Sequence, residues 1–145
     1  MSPSIMLDTN IFVHLIRADR VGQQVIREFS LLTGDDTPSF CVVTEGELRS
    51  LTYQFNWGEE TVEKMRFLID FFHRLPIDSP ETLEAYAAID AYSKRAGVTM
   101  GKNDLWIAAV SHVSGTQLIT TDRDFDHLNA LLLNRTLIEL PPKSS

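Results

Sequence analysis

Along this chain, short apolar runs alternate with longer stretches in which apolar residues recur every three or four positions. A run near Ser4 to Leu7 reads as a first strand, and Ile11, Phe12, Leu15 and Ile16 then share one helical face. Val21, Val25, Ile26 and Phe29 continue as a second helical stretch. After the turn Asp35-Asp36-Thr37-Pro38, a second strand is predicted over Ser39 to Val43, with a helix starting near Thr44. Another helix is expected from Glu59 to Phe72, with Val62, Met65, Leu68, Ile69 and Phe72 inward. Leu75-Pro76-Ile77 reads as a short third strand, and Pro76 suggests a sheet edge. Ser79-Pro80 supplies a cap residue and a first-turn proline for a helix that Gly97 ends. Asn103 or Asp104 opens the next helix, which stops by Gly115. Strands follow at Gln117 to Thr121 and Thr136 to Leu140, the last closed by Pro141-Pro142. Such alternation predicts an α/β fold with a mainly parallel sheet and crossover helices.

Acids stand where these strands give way to helices. Leu7 runs into Asp8, Val43 into Thr44-Glu45-Gly46-Glu47, and Thr121 into Asp122-Arg123-Asp124, while Asp104 opens an apolar helix. Each has an ordinary structural use. Asp8 or Thr9 can cap a helix, Asp104 suits a helix N-terminus, Asp122 can begin a turn, and Thr44 with Glu47 has capping-box spacing. Together they support a different reading, because ligand sites in open parallel sheets form outside the carboxyl ends of the strands. Two carboxylates about 4 Å apart repel by roughly 4 kcal/mol at an effective dielectric near 20. A shared cluster must therefore raise some pKa values or take up hard cations. Mg²⁺ or Mn²⁺ at such a site can activate water for phosphodiester hydrolysis.

Composition changes this picture little. A length of 145 residues, 43% hydrophobic and 23% charged, suits one ordinary globular domain spanning 1–145. No apolar run reaches the roughly 20 residues of a membrane span, and no secretory leader pattern is present, so a cytoplasmic location is expected. Cys41, the single cysteine, lies in an apolar run and reads as a buried, inert thiol. The net charge of −7 argues against a broad nonspecific grip on nucleic acid. Arg49, Lys94, Arg95, Lys102 and Arg123 can form a local basic rim, although each alone reads as solvated surface.

The four acidic blocks carry a resemblance. Leu7-Asp8-Thr9-Asn10, Thr44-Glu45-Gly46-Glu47-Leu48, Met100 to Ala109 and Leu118 to Phe125, in this order, resemble the PIN-domain ribonucleases, and within them the VapC-type toxins of toxin–antitoxin pairs. The resemblance implies Asp8, Glu47, Asp104 and Asp122 as metal-binding and catalytic acids, with Asp124 as a further metal ligand. It implies Asn10 and Thr120 as polar supports, which hydrogen bonding at caps and strand ends would equally explain. It further implies a three-layer α/β/α domain, Mg²⁺ or Mn²⁺ dependence, endonucleolytic cleavage of RNA, a homodimer and a cognate antitoxin. The acidic net charge departs from a basic nuclease, and Glu45 is an extra acid that can face solvent or site.

Other features add less. His14, His73, His112 and His127 lack zinc-ligand spacing and read as surface or packing residues. No nucleophile elbow or phosphate-binding loop is present. Tyr53, Phe55 and Trp57 read first as packing between adjacent helices, with base stacking or partner binding as further uses. Trp106 reads as core. Two rival functions are a nuclease-like fold reduced to a binding module and a phospho-accepting signalling domain, which would need an acceptor aspartate after the third strand, where Ile77-Asp78-Ser79-Pro80 instead reads as a helix start.

Overall fold

The computed structural model describes residues 4–142. Five strands, β1 (Ile5–Leu7), β2 (Ser39–Cys41), β3 (His73–Leu75), β4 (Gln117–Thr120) and β5 (Asn134–Leu137), form one sheet in the order β3-β2-β1-β4-β5. All four pairings are parallel. Six helices connect them: α1 (Thr9–Arg17), α2 (Arg20–Phe29), α3 (Val42–Gln54), α4 (Glu59–Phe71), α5 (Pro80–Arg95) and α6 (Lys102–Ser114). A 3₁₀ turn at Arg123–Leu128 leads into β5.

Strand side chains alternate between two cores, one on each face of the sheet. Leu7, Phe40 and Ile119 point to the face covered by α1, α2, α3 and α4, where Phe12 packs edge-on against both Phe40 and Phe72. Met6, Cys41 and Leu118 point to the other face and meet Ala85 and Ile89 of α5 and the apolar length of α6. Burial on both faces is why these strands read as unbroken apolar runs. The result is the expected three-layer α/β/α arrangement. Among the described residues, no helix is long and apolar enough to cross a membrane.

Helix ends follow local chemistry. Asp8, Asp19 and Ser79 cap α1, α2 and α5 through side-chain oxygens, and Pro80 occupies the first turn of α5. Gly97 and Gly115 take positive φ just past α5 and at the C-cap of α6.

Several boundaries differ from the sequence reading. The second strand stops at Cys41 and α3 begins at Val42, so the β-branched pair Val42-Val43 starts a helix despite its strand propensity. The third strand is His73–Leu75 rather than Leu75 to Ile77; the His73 N–H donates to Pro38 O, whereas Pro76 has no N–H to give. Its edge position holds. The fifth strand is Asn134–Leu137 rather than Thr136 to Leu140, in register with Gln117 to Thr120. Its polar start hid it, although Arg135 is anchored by Asp126 at 3.0 Å. The aromatic segment also splits: Trp57 packs against the core, but Tyr53 is 87% exposed and Phe55 56% exposed. Trp106 is half-buried and stacks on Tyr86, rather than lying in the core.

Candidate active site

The sheet order reverses at β1, whose chain continues to β2 on one side and whose other neighbour is β4. At such a switch point the loops leaving two adjacent strands diverge and open a crevice. Asp8 follows β1 directly, and its N–H extends the ladder to Ile119 O at 3.0 Å. Asp122 follows β4 by two residues. Glu47 comes from the second turn of α3 and Asp104 from the first turn of α6. Asp8, Glu47, Asp104 and Asp122 line one cavity of about 360 Å³. The structure thus brings together all four acids singled out in the sequence.

Asp8 is buried, and its carboxylate accepts three hydrogen bonds. Oδ1 accepts from the Thr9 N–H at 2.8 Å, and Oδ2 accepts from the Thr120 hydroxyl at 2.6 Å and Asn10 Nδ2 at 3.2 Å. Thr120 Oγ1 in turn accepts the Asp122 N–H at 2.9 Å, and Asn10 Oδ1 accepts the Thr121 N–H at 3.2 Å. Asn10 and Thr120 therefore tie the first acid to the backbone that carries the fourth. Asp122 Oδ1 accepts the Asp124 N–H at 2.9 Å, which curls the chain into the 3₁₀ turn. Asp8 caps α1 and Asp122 begins a turn, as their positions in the sequence allow, and both carboxylates also face the crevice.

Glu47 is held by a residue the sequence reading left out of the site. Thr9 Oγ1 donates to Glu47 Oε1 at 2.6 Å and pairs with Thr44 Oγ1 at 2.9 Å. The expected Thr44–Glu47 capping box does not form, because α3 starts earlier and both side chains turn to Thr9 instead. Glu45 points elsewhere: Arg74 reaches its Oε1 at 2.9 Å and Arg49 its Oε2 at 3.0 Å. Among the proposed rim cations, Arg49 is thus engaged by Glu45, and Lys94 pairs with Asp90 on its own helix.

One oxygen each of Asp104, Asp122 and Asp124 lie within 4.8 Å of one another. Asp124 is exposed and joins this trio from the rim, outside the lining of the cavity. The acids pay electrostatically for their proximity. Burial, with smaller repulsion from Glu47 and Asp122, pushes Asp8 up to about 6 despite its hydrogen bonds to Thr120 and Thr9. Burial, then the charges of Asp8, Asp122, Asp124 and Glu47, pushes Asp104 up to about 7. Asp124 is likewise raised, by desolvation and then by Asp122. An all-oxygen donor set under mutual repulsion fits a hard divalent cation, which would relieve that repulsion.

His14 and Arg17 of α1 also line the cavity, and a second cavity of about 500 Å³ shares Thr9, Glu47 and Leu51 with it. Ser50, Gln54 and Asn103 extend that second cavity with neutral polar groups. These residues had no recognisable signal in the sequence, since helical spacing alone does not show which polar face borders a crevice. Cys41 is buried, and that burial, with smaller repulsion from Glu47 and Asp8, pushes its thiol up to about 11.

Residues 5–131 match the family described as the PIN domain. The chain is 29% identical over 129 residues to Ribonuclease VapC2 of Haemophilus influenzae, covering 87% of this chain and 92% of that relative. The fold matches a chain of the crystal structure of VapBC2 from Rickettsia felis bound to a DNA fragment from its promoter. That match has a TM-score of 0.79 at 19% identity and covers 93% and 98% of the two chains. FitAcB from Neisseria gonorrhoeae is 27% identical with a TM-score of 0.67, over 83% of this chain and 88% of that one. The parallel sheet, its crevice of carboxylates and a match over most of the sequence agree: this chain belongs to the PIN-domain family.

Proposed function

We propose that this protein is a metal-dependent endoribonuclease that hydrolyses RNA phosphodiester bonds and serves as the toxin of a toxin–antitoxin pair. The observation that carries the reading is the meeting of Asp104, Asp122 and Asp124 beside the crevice lined by Asp8 and Glu47. Support for the substrate and partner comes from the relatives, one named a ribonuclease and others solved as toxin–antitoxin complexes. A phospho-accepting domain is not favoured, and nothing in the four assembled acids suggests a site reduced to binding.

In this reading Asp8, Glu47, Asp104, Asp122 and Asp124 hold Mg²⁺ or Mn²⁺. The ion supplies Lewis acidity, offsetting the carboxylates' charge and making water nucleophilic toward the phosphodiester. The protein's own groups do the positioning. Asn10 and Thr120 fix the orientation of Asp8, Thr9 fixes Glu47, and the Asp124 N–H fixes Asp122. By themselves these acids repel a phosphate, so RNA enters productively only with the cation. A homodimer, an antitoxin partner, a cytoplasmic location and a single working domain complete the proposal.

Incubating pooled structured and unstructured RNAs with Mg²⁺, Mn²⁺ or chelator tests it. The native protein should cut only with the ion and leave 5′-phosphate and 3′-hydroxyl ends. Asp8→Asn should keep the fold and lose cleavage; undiminished cleavage by that variant in chelator overturns the assignment. Light scattering reads the dimer, and rescue of growth by a co-expressed neighbouring small protein reads the antitoxin.

A further inference from the structure

Where α1 gives way to α2, the crevice has a wall of different character. His14 and Arg17, one turn apart on α1, line the same cavity as Asp8, Glu47, Asp104 and Asp122. His14 Nδ1 lies 2.7 Å from Asp19 Oδ2, and Asp19 Oδ1 accepts the Gly22 N–H at 3.0 Å. Burial acts to raise the Asp19 carboxyl, but the Gly22 N–H and His14 outweigh it and hold it below its ordinary value. An ionised carboxylate only accepts hydrogen bonds, so the proton of this pair resides on His14 Nδ1. In the neutral ring, Nε2 is then an acceptor, and it has no hydrogen-bond partner among the described residues. The two helices meet closely at this corner: a Cβ on Gly22 would sit 2.3 Å from the backbone His14 O, so they touch backbone to backbone. Arg17 is exposed and makes no ion pair among the described residues.

We propose that this corner is a subsite for the sugar–phosphate backbone of RNA, with Arg17 holding a phosphate beside the scissile one and His14 Nε2 accepting a hydrogen bond from a ribose 2′-hydroxyl. The inference rests on the nuclease reading and deepens it by naming what selects RNA over DNA. A phosphodiester offers His14 no donor, whereas every ribonucleotide offers a 2′-hydroxyl whatever its base. A strand whose reacting phosphate lies at the acids must carry its neighbouring sugars and phosphates along the cavity walls. Arg17 supplies there the positive charge that the acids lack.

Binding of a labelled single-stranded RNA of mixed sequence is compared at pH 8 with that of the same DNA and 2′-O-methyl RNA. Cleavage is disabled with Asp8→Asn in Mn²⁺. The RNA should bind about fivefold tighter than either analogue, the worth of one hydrogen bond. His14→Phe should bring the three within about twofold. Arg17→Ala, at an exposed surface position, should weaken all three and lower the slope of log affinity against log salt by about 0.7. A preference that survives His14→Phe, equal binding of all three by the parent, or a salt slope indifferent to Arg17→Ala overturns the subsite. If RNA cleavage by the native protein is intact when this happens, only the subsite falls; if the native protein neither binds nor cuts RNA, the nuclease reading falls with it.

Discussion

Asp8→Asn should change how stability responds to pH, by an amount that follows from the burial of this one carboxyl. Folding raises its pKa from 3.8 to about 6, so the native state binds the proton more tightly than the unfolded chain. The carboxyl is therefore least costly below about pH 4, and native stability falls as pH rises toward 6, where the folded group finally ionises. The interval corresponds to about 3 kcal/mol. Asparagine does not titrate, so the variant escapes that loss. It also weakens hydrogen bonds from Thr9, Asn10 and Thr120, but that cost is nearly independent of pH. Removing the Asp8 charge relieves Asp104 as well, which widens the difference. Urea unfolding of both proteins in chelator, from pH 4 to pH 8, should show the variant gaining about 3 kcal/mol on the native protein, or roughly 10 °C in melting temperature for a chain of this size. Mn²⁺ at pH 8 should restore much of the native protein's stability and less of the variant's. Parallel pH curves for the two proteins would refute the placement of Asp8 as a dehydrated charge among other acids.

Further expectations concern the supports around the site. Thr9→Val removes the donor to Glu47 while keeping the shape of the side chain, so cleavage of RNA should fall about 10- to 100-fold, corresponding to about 1.5–3 kcal/mol, with folding by circular dichroism preserved. Full activity in Thr9→Val would show that Glu47 needs no such anchor. Gly22→Ala forces a methyl against His14 O at 2.3 Å and should lower stability by about 2 kcal/mol in urea unfolding, more than Gly46→Ala, where nothing lies within 4 Å. Cys41 should resist iodoacetamide in the native protein and react only after unfolding; rapid native labelling would contradict its burial and raised pKa.

The sequence revealed the four principal acids because their positions obey a rule of topology: each follows or faces the carboxyl end of a parallel strand. It showed the layers because Met6 and Leu7, or Leu118 and Ile119, face opposite cores and so read as continuous apolar runs. It failed where tertiary contact overrules local preference. Val42-Val43 looks like strand but begins α3, and Thr44 with Glu47 looks like a cap but serves Thr9, thirty-five and more residues away. His14 sits beside apolar helix positions with no spacing to mark it, and only folding places it opposite Asp19 and on the crevice. Glu45 and Glu47, two residues apart, are told apart by Arg49 and Arg74, which claim the first.

The hydroxyl of Thr120 links Asp8 to the Asp122 backbone across more than a hundred residues of intervening chain. During synthesis, β1 leaves the ribosome long before β4 exists, and until β4 docks the first acid has neither its anchor nor its neighbour at position 122. A site with this wiring is not assembled until the chain has been made through Asp122.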